Sequence, residues 1–318
     1  KSSINNFYKR IDEIRELFHK QGKIDDSNAK LDEIIKYYCF YLYDIKASEL
    51  DWNNPFTTKE ILSSFLNDSK YNLIDKMQKK FAFISKEKMF IDSSGLSIFG
   101  TDTSLNLEPG EDELASKLLD LVVSSFDDLY LTNNDNYNFD LLNELFGHFV
   151  RDNFRSNIED AQYLTPIEVV EFMTNIAIND LRPKRSKELI VCDPFCGVGS
   201  FLTQFYKNIS NHNKINKIKI VGQDKVLRMS RFAKINFLFS TAPANSFEIY
   251  NGNSYSGISE LDNYIGKVDL ILTNPPFGAK FNLSDLFSNI DLSYPFINDL
   301  LKNGSTDFNS ESISISRC

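Results

Sequence analysis

The segment Val268-Asp269-Leu270-Ile271-Leu272-Thr273-Asn274-Pro275-Pro276-Phe277-Gly278 narrows the possible folds more than any other. Its apolar run, Leu270 to Leu272, has the character of a strand buried on both faces, as in a parallel sheet. Two successive prolines then fix φ and remove amide donors, so no strand continues through them. The chain must leave the sheet here as a stiff, extended loop. Ligands of open α/β sheets bind outside the carboxyl ends of strands, which makes this loop a candidate site. It offers the amide of Asn274, a Pro275 carbonyl that no ladder claims, and the ring of Phe277. Asn274 and the Pro275 carbonyl can accept from one amino group while Phe277 stacks on a flat ring. That set suits a flipped-out nucleobase with an exocyclic amine. Asn-Pro is also ordinary turn chemistry, so the rest of the chain has to decide between the two.

A chain of 318 residues has room for two domains, and 42% hydrophobic with 25% charged residues sustains a sizeable core. No apolar run reaches the length of a membrane span, and Lys1 to Asn6 contains no signal-peptide core. The first residue is not Met, so further residues are expected upstream. Cys39, Cys192, Cys196 and Cys318 show no Cys-x-x-Cys spacing, and His19, His148 and His212 stand apart from them. No zinc site or disulfide framework is expected, and a reducing cytoplasm fits. The net charge of −9 lacks the basic excess of a protein that grips DNA alone. A nucleic-acid enzyme built on this chain needs a partner or a further segment to hold phosphates.

The spacing of Ile4, Phe7, Tyr8, Ile11, Ile14 and Phe18, and of Leu31, Ile34, Ile35, Tyr38 and Leu42, predicts two helices, the second after the cap region Asp25-Asp26-Ser27. Further helices are expected over 58–66, 70–84, 111–129 and 138–153, with a glycine-bearing loop at 92–110. The aromatic run Tyr37, Tyr38, Phe40, Tyr41, Tyr43 lies all round a helix with few basic neighbours, which favours core packing over base stacking. From about residue 160 the pattern alternates: helix 166–179, strand 188–193, helix 199–210, strand 217–223, helix 226–240, strand 246–251 and strand 268–273. That alternation predicts a doubly wound, mainly parallel α/β sheet. The expected organisation is an all-helical domain over 1–155 and an α/β domain over 156–318.

The first strand of that half, Leu189 to Asp193, runs into Pro194-Phe195-Cys196-Gly197-Val198-Gly199-Ser200-Phe201. Gly197 and Gly199 let the backbone pass close to a ligand, and the helix that follows offers free N–H groups. A dinucleotide turn would carry a third glycine, and a P-loop would carry Gly-Lys-Ser/Thr. Instead an acid, Asp193, opens the turn. An acid at the strand tip repels a pyrophosphate and attracts an ammonium, which favours S-adenosylmethionine over NAD. Asp224, about 30 residues on, ends the second strand where an acid can accept both ribose hydroxyls of an adenosine. It is equally placed to cap helix 226–240. Asn253, after the third strand, can reach the adenine. Upstream, Thr165 to Glu168 spells a capping box with Pro166 at the first helical position. The N–H groups there can also receive a carboxylate, with Tyr163 packing on the methionine part.

Taken in order, Gln162-Tyr163-Leu164-Thr165-Pro166, Asp193-Pro194-Phe195-Cys196-Gly197-Val198-Gly199-Ser200-Phe201 and Asn274-Pro275-Pro276-Phe277 resemble the N6-adenine DNA methyltransferases. The likeness is strongest to the modification subunits of type I restriction–modification systems, in which a helical domain precedes the cofactor segment and the Asn-Pro-Pro-Phe loop. The resemblance implies a Rossmann-like methyltransferase domain and site-specific methylation of adenine N6 in double-stranded DNA. It implies that Gln162, Tyr163, Leu164, Thr165, Asp193, Phe195, Gly197, Val198, Gly199, Asp224 and Asn253 hold S-adenosylmethionine. Asn274, Pro275, Pro276 and Phe277 would hold the target base. Implied partners are a DNA-specificity subunit and a restriction subunit. Gly252-Asn253 departs from the usual Gly-Asp of the family, replacing a charge with an amide. A family sheet has about seven strands, and only four are convincing here. The closing Phe308 to Cys318 reads as the start of the helix before a fifth strand. Later strands and a target-recognition domain are therefore expected beyond the end. Two rival readings are a methyltransferase of protein glutamine or RNA, against which Phe277 counts in place of Tyr, and an inactive assembly module.

Overall fold

The computed structural model describes residues 2–130 except 69, 93 and 103, then 165–181, 188–210, 217–240, 247–278 except 256–258, 280–282 and 307–318, with 141, 145 and 302 singly. The expected helix over 138–153 and the candidates Gln162, Tyr163 and Leu164 lie outside the described residues. Compactness divides the chain into two units, Lys1–Phe139 with Glu144–Asp160, and Asp140–Asn143 with Ala161–Cys318.

In the first unit are helices α1 (Ser2–Gln21), α2 (Ser27–Leu50), α3 (Thr58–Asn67), α4 (Leu73–Ile84) and α5 (Asp112–Tyr130), and α5 packs against each of the other four. Asp26 caps α2 by accepting from Ala29 N at 2.8 Å. Residues 33–43 of α2 are buried without a break, and its rings form the core: Tyr37, Tyr38, Phe40 and Tyr43 are all sealed from solvent. Each such ring contributes about 1.5–3 kcal/mol by leaving water. The hydroxyls of the tyrosines on this helix are all bonded, Tyr37 to Glu33, Tyr38 with Ser125, Tyr41 to Asp127 and Tyr43 to the Asn53 carbonyl. The aromatic run is therefore a packing device, as its distribution round the helix predicts.

Charge is buried in this core as well. Lys80 is fully enclosed, and its ammonium donates to Asp44 Oδ1 at 2.5 Å and to the Phe56 carbonyl at 3.0 Å. Asp44 also accepts from Asn54 Nδ2 and from the Thr58 backbone at the start of α3. Burial pulls the Lys80 ammonium below its ordinary pKa despite the carboxylate beside it.

The second unit is built on a four-stranded parallel sheet, β1 (Leu189–Asp193), β2 (Ile218–Asp224), β3 (Phe247–Asn251) and β4 (Leu270–Ile271), in the order β3-β2-β1-β4. Helices α6 (Ile167–Asp180), α7 (Ser200–Ser210) and α8 (Leu227–Phe239) alternate with these strands. The chain runs outward from β1 to β2 and β3, then returns to β4 on the other side of β1. Strand order thus reverses between β1 and β4, which is where an open sheet leaves a ligand crevice at its carboxyl edge. β4 is shorter than the expected 268–273, but Asp269 N to Ile190 O and Leu272 N to Cys192 O extend its ladder beyond the paired residues. A small antiparallel pair, β5 (Lys280–Asn282) with β6 (Asp307–Asn309), and the helix α9 (Ser310–Arg317) complete the unit. No described helix is long and apolar enough to cross a membrane.

Removing one partner of a buried ion pair strands the other charge. Asp44→Ala is expected to lower the unfolding free energy by about 3–5 kcal/mol in urea denaturation, far more than truncation of an exposed acid.

Candidate active site

β1 ends at Asp193, and the chain turns through Pro194 to Gly199 into α7. Four hydrogen bonds set that turn: Phe195 N to Asp193 Oδ1 at 3.0 Å, Gly197 N to Asp224 Oδ2 at 3.0 Å, Cys196 N to Gln223 O at 2.9 Å, and Gly199 N to Cys196 O at 2.7 Å. The Val198 carbonyl accepts from Asn236 Nδ2 of α8 at 3.1 Å. Gly199 has φ +82°, and a Cβ there would stand 3.1 Å from Ala233 Cβ, so α8 abuts the turn. Gly197, at φ +52°, faces open space: a Cβ there would meet nothing within 4 Å.

Asp224 divides its oxygens between two elements. Oδ2 takes Gly197 N, and Oδ1 takes Val226 N at 2.8 Å. The expected cap of the following helix does not form. α8 begins at Leu227 with Val226 as its N-cap and no side-chain cap; Asp224 lies two residues before that N-cap and reaches only the Val226 N–H. Both acids are buried, Asp193 to 1% exposure and Asp224 to 3%. Burial pushes the Asp193 carboxyl up to about 7, and the charge of Asp224 adds to the rise. Burial also raises Asp224, against the pull of the Val226 and Gly197 N–H groups. The Thr273 hydroxyl draws Asp193 back somewhat.

Asn253 accepts from Tyr255 N at 3.1 Å through Oδ1, which leaves its Nδ2 as a donor end. A polar network that the sequence reading did not single out lies behind this wall. Gln223 Nε2 donates to Ser254 Oγ at 2.7 Å, Ser259 Oγ donates to Gln223 Oε1 at 2.9 Å, and Ser254 Oγ donates to the Pro194 carbonyl. Tyr255 packs on Phe195 with ring centroids 5.2 Å apart and shares a hydrogen bond with Ser314 of α9. The one available signal was Gln223 itself, a polar side chain at the buried end of an apolar strand.

The Asn-Pro-Pro-Phe loop leaves the sheet beside this turn, since Cys192 of β1 is paired with Ile271 of β4. Pro275 and Pro276 are half-buried, and Phe277 is 56% exposed. No described residue donates to the Pro275 carbonyl. Asn274 Nδ2 donates to Thr165 Oγ1 at 3.0 Å, leaving Oδ1 as the end able to accept. Past the loop, Gly278 N donates to Glu311 Oε1 of α9 at 3.0 Å. The capping box expected over Thr165 to Glu168 does not form. Pro166 is the N-cap of α6, with no side-chain cap, so Thr165 falls one residue too early to reach the third helical N–H.

The structure thus brings Thr165, Asp193, Phe195, Gly197, Val198, Gly199, Asp224, Asn253 and Asn274 to Phe277 to the carboxyl edge of one sheet. A profile of the N-6 DNA methylase family matches residues 138–305, more than half of the sequence. The chain belongs to that family. It is 29% identical over 119 residues to the methylase subunit of the type I restriction enzyme MjaVII of Methanocaldococcus jannaschii, a match covering 37% of this chain and 19% of that protein. It is 22% identical over 281 residues to the type II methyltransferase M.MamI of Microbacterium ammoniaphilum, covering 85% of this chain and 75% of that one. Among solved structures, the methyltransferase subunit of a type I restriction–modification system from Streptococcus thermophilus matches with a TM-score of 0.54 at 13% identity, covering 89% of this chain and 66% of the other. The match to the archaeal methylase subunit spans about a fifth of that protein's length.

A carboxyl whose pKa rises on folding keeps its proton in the folded protein where the unfolded chain has lost it. Rising pH through that interval therefore favours unfolding. From the ordinary carboxylate range near 4 up to about 7, Asp193 should make the folded protein lose stability as pH rises. In Asp193→Asn the fall in urea midpoint across that interval should be shallower than in the parent. An unchanged fall would show that Asp193 does not titrate there.

Proposed function

We propose that this chain transfers a methyl group from S-adenosylmethionine to N6 of an adenine flipped out of double-stranded DNA, as the modification component of a restriction–modification system. The observation that carries this reading is the direct pairing of β1 with β4, which sets the Asp193 turn beside the Asn274 loop.

The residues fit the cofactor by their chemistry. The site supplies two buried acids and an open space over Gly197. Asp193 would meet the ammonium of the cofactor, Asp224 the ribose and Asn253 the adenine, and the unpaired N–H groups starting α6 would take the carboxylate. Phe195, Val198 and Gly199 would complete the wall. Gln162, Tyr163 and Leu164 belong to the same proposed set. When bound, the cofactor supplies an electrophilic methyl group on a sulfonium.

The chain's own task is to prepare the nitrogen. An exocyclic amine is a poor nucleophile because its lone pair is delocalised into the ring. Asn274 Oδ1 and the Pro275 carbonyl each accept one N6–H, which favours a pyramidal nitrogen and aims its lone pair. Pro276 stiffens the loop, and Phe277 stacks on the extruded base. Catalysis is then positioning and electrostatics with no covalent intermediate. Extrusion itself costs a few kcal/mol. With a net charge of −9, the chain depends on a specificity subunit to hold DNA, with a restriction subunit in the same assembly. Under this reading it works in the cytoplasm.

The test is transfer of radiolabelled methyl to adenine-containing DNA, with and without candidate specificity subunits. Asn274→Ala should lower transfer by about a hundredfold to a thousandfold while cofactor affinity stays within a few-fold. Cofactor binding with no transfer in any partner combination would instead identify an assembly module. In the same preparation, cofactor affinity should rise with pH through about 7 as Asp193 ionises.

A further inference from the structure

We propose that Thr165 is a positioning residue for the methyl-transfer step: its hydroxyl anchors the Asn274 side chain where its Oδ1 can accept from the target amine. This rests on the function proposed above. The hydrogen bond runs from Asn274 Nδ2 to Thr165 Oγ1 at 3.0 Å, between residues 109 apart in sequence.

An asparagine amide has two nearly isosteric ends of opposite character. With Oδ1 toward the substrate, the amide accepts N6–H. Turned by half a rotation, it would present N–H to N–H, a repulsive contact that leaves the amine unpolarised. Nothing in the Asn-Pro-Pro-Phe sequence distinguishes these states. In the structure Thr165 anchors the amide at Nδ2, which leaves Oδ1 as the end free to accept; the hydroxyl can also donate, so what it fixes is the place of the side chain.

Thr165 is free to do this because of where α6 begins. Pro166 is the N-cap, and the Thr165 hydroxyl bonds no N–H of the helix. The same Thr-x-x-Glu spelling at Thr57 to Glu60 does form a capping box, with Thr57 Oγ1 accepting from Glu60 N at 3.1 Å and Glu60 accepting from Thr57 N at 2.8 Å. The hydroxyl at 165 has been turned from the helix to the loop. The assignment also divides the labour at this end of α6: backbone N–H groups remain for an anion, and the side chain serves the base-binding loop.

Thr165→Val keeps the shape and removes the acceptor, and Thr165→Ser restores it. The full chain, with the partner subunit that supports transfer, is assayed for single-turnover methylation and, separately, for S-adenosylmethionine affinity by calorimetry. Thr165→Val should transfer about tenfold more slowly with cofactor affinity within twofold of the parent. Thr165→Ser should return the rate to within about threefold. In nitrogen-15 spectra of the cofactor-free protein, the Asn274 side-chain amide should lose its exchange protection in Thr165→Val and keep it in Thr165→Ser. Parental rates in Thr165→Val would overturn the proposal. So would a loss of rate matched by an equal loss of cofactor affinity, which would make Thr165 a cofactor ligand. No transfer by the unsubstituted protein would instead sink the proposed function, and this assignment with it.

Discussion

The site depends on one piece of backbone pairing, the parallel ladder between β1 and β4. Asp269 N and Leu272 N donate to the carbonyls of Ile190 and Cys192 at 2.9 and 3.1 Å, and the Asp269 side chain takes Ile190 N at 3.0 Å. These bonds join segments separated by two strand–helix excursions. A parallel partner cannot be reached by a short turn, so the intervening helices are obligatory. Once the register is fixed, the Asp193 turn and the Asn274 loop must leave the sheet on the same edge. A slip of one residue would reverse the facing of every β4 side chain. The rigidity of the double proline matters only because the strand before it is held.

The same edge carries an electrostatic tension. Two acids are buried where the β1 and β2 tips converge, and no described cation bonds to either. The N–H groups of Phe195, Gly197 and Val226 offset part of the desolvation cost, but burial still dominates. Such an arrangement is poor for stability and useful for a ligand. A cation arriving beside Asp193 would relieve the repulsion that keeps its proton on. Under the proposed function, that cation is the ammonium of the cofactor, and its binding releases a proton at neutral pH.

Much of the α/β unit was legible because its signals are local. The expected strands 188–193, 217–223 and 246–251 agree to within one residue at either end with β1, β2 and β3. Their apolar runs are bounded by turn residues that leave little choice. The aromatic helix α2 was legible for the same reason, since rings on all sides of a helix can only be buried. β5 and β6 were not, because strands of three residues carry no periodicity and pair across a long separation. The Gln223–Ser254 network and the Asn274–Thr165 bond were missed on similar grounds. Each links residues whose proximity is created only by the finished sheet.

One local rule is broken where the fold meets its chemistry. Thr57-Thr58-Lys59-Glu60 and Thr165-Pro166-Ile167-Glu168 spell the same helix start, and only the first behaves as one. The difference is Pro166. With φ −53° and ψ 138° it becomes the N-cap itself, which leaves the start of α6 without a side-chain acceptor. A missing cap costs a helix about 0.5–2 kcal/mol. The isolated helix gains nothing in return, but the loop gains an acceptor for Asn274. Sequences tend to violate local preferences where a side chain is needed elsewhere. The uncapped end of α6 is therefore where this fold gives up local helix stability for a contact with the distant Asn274 loop.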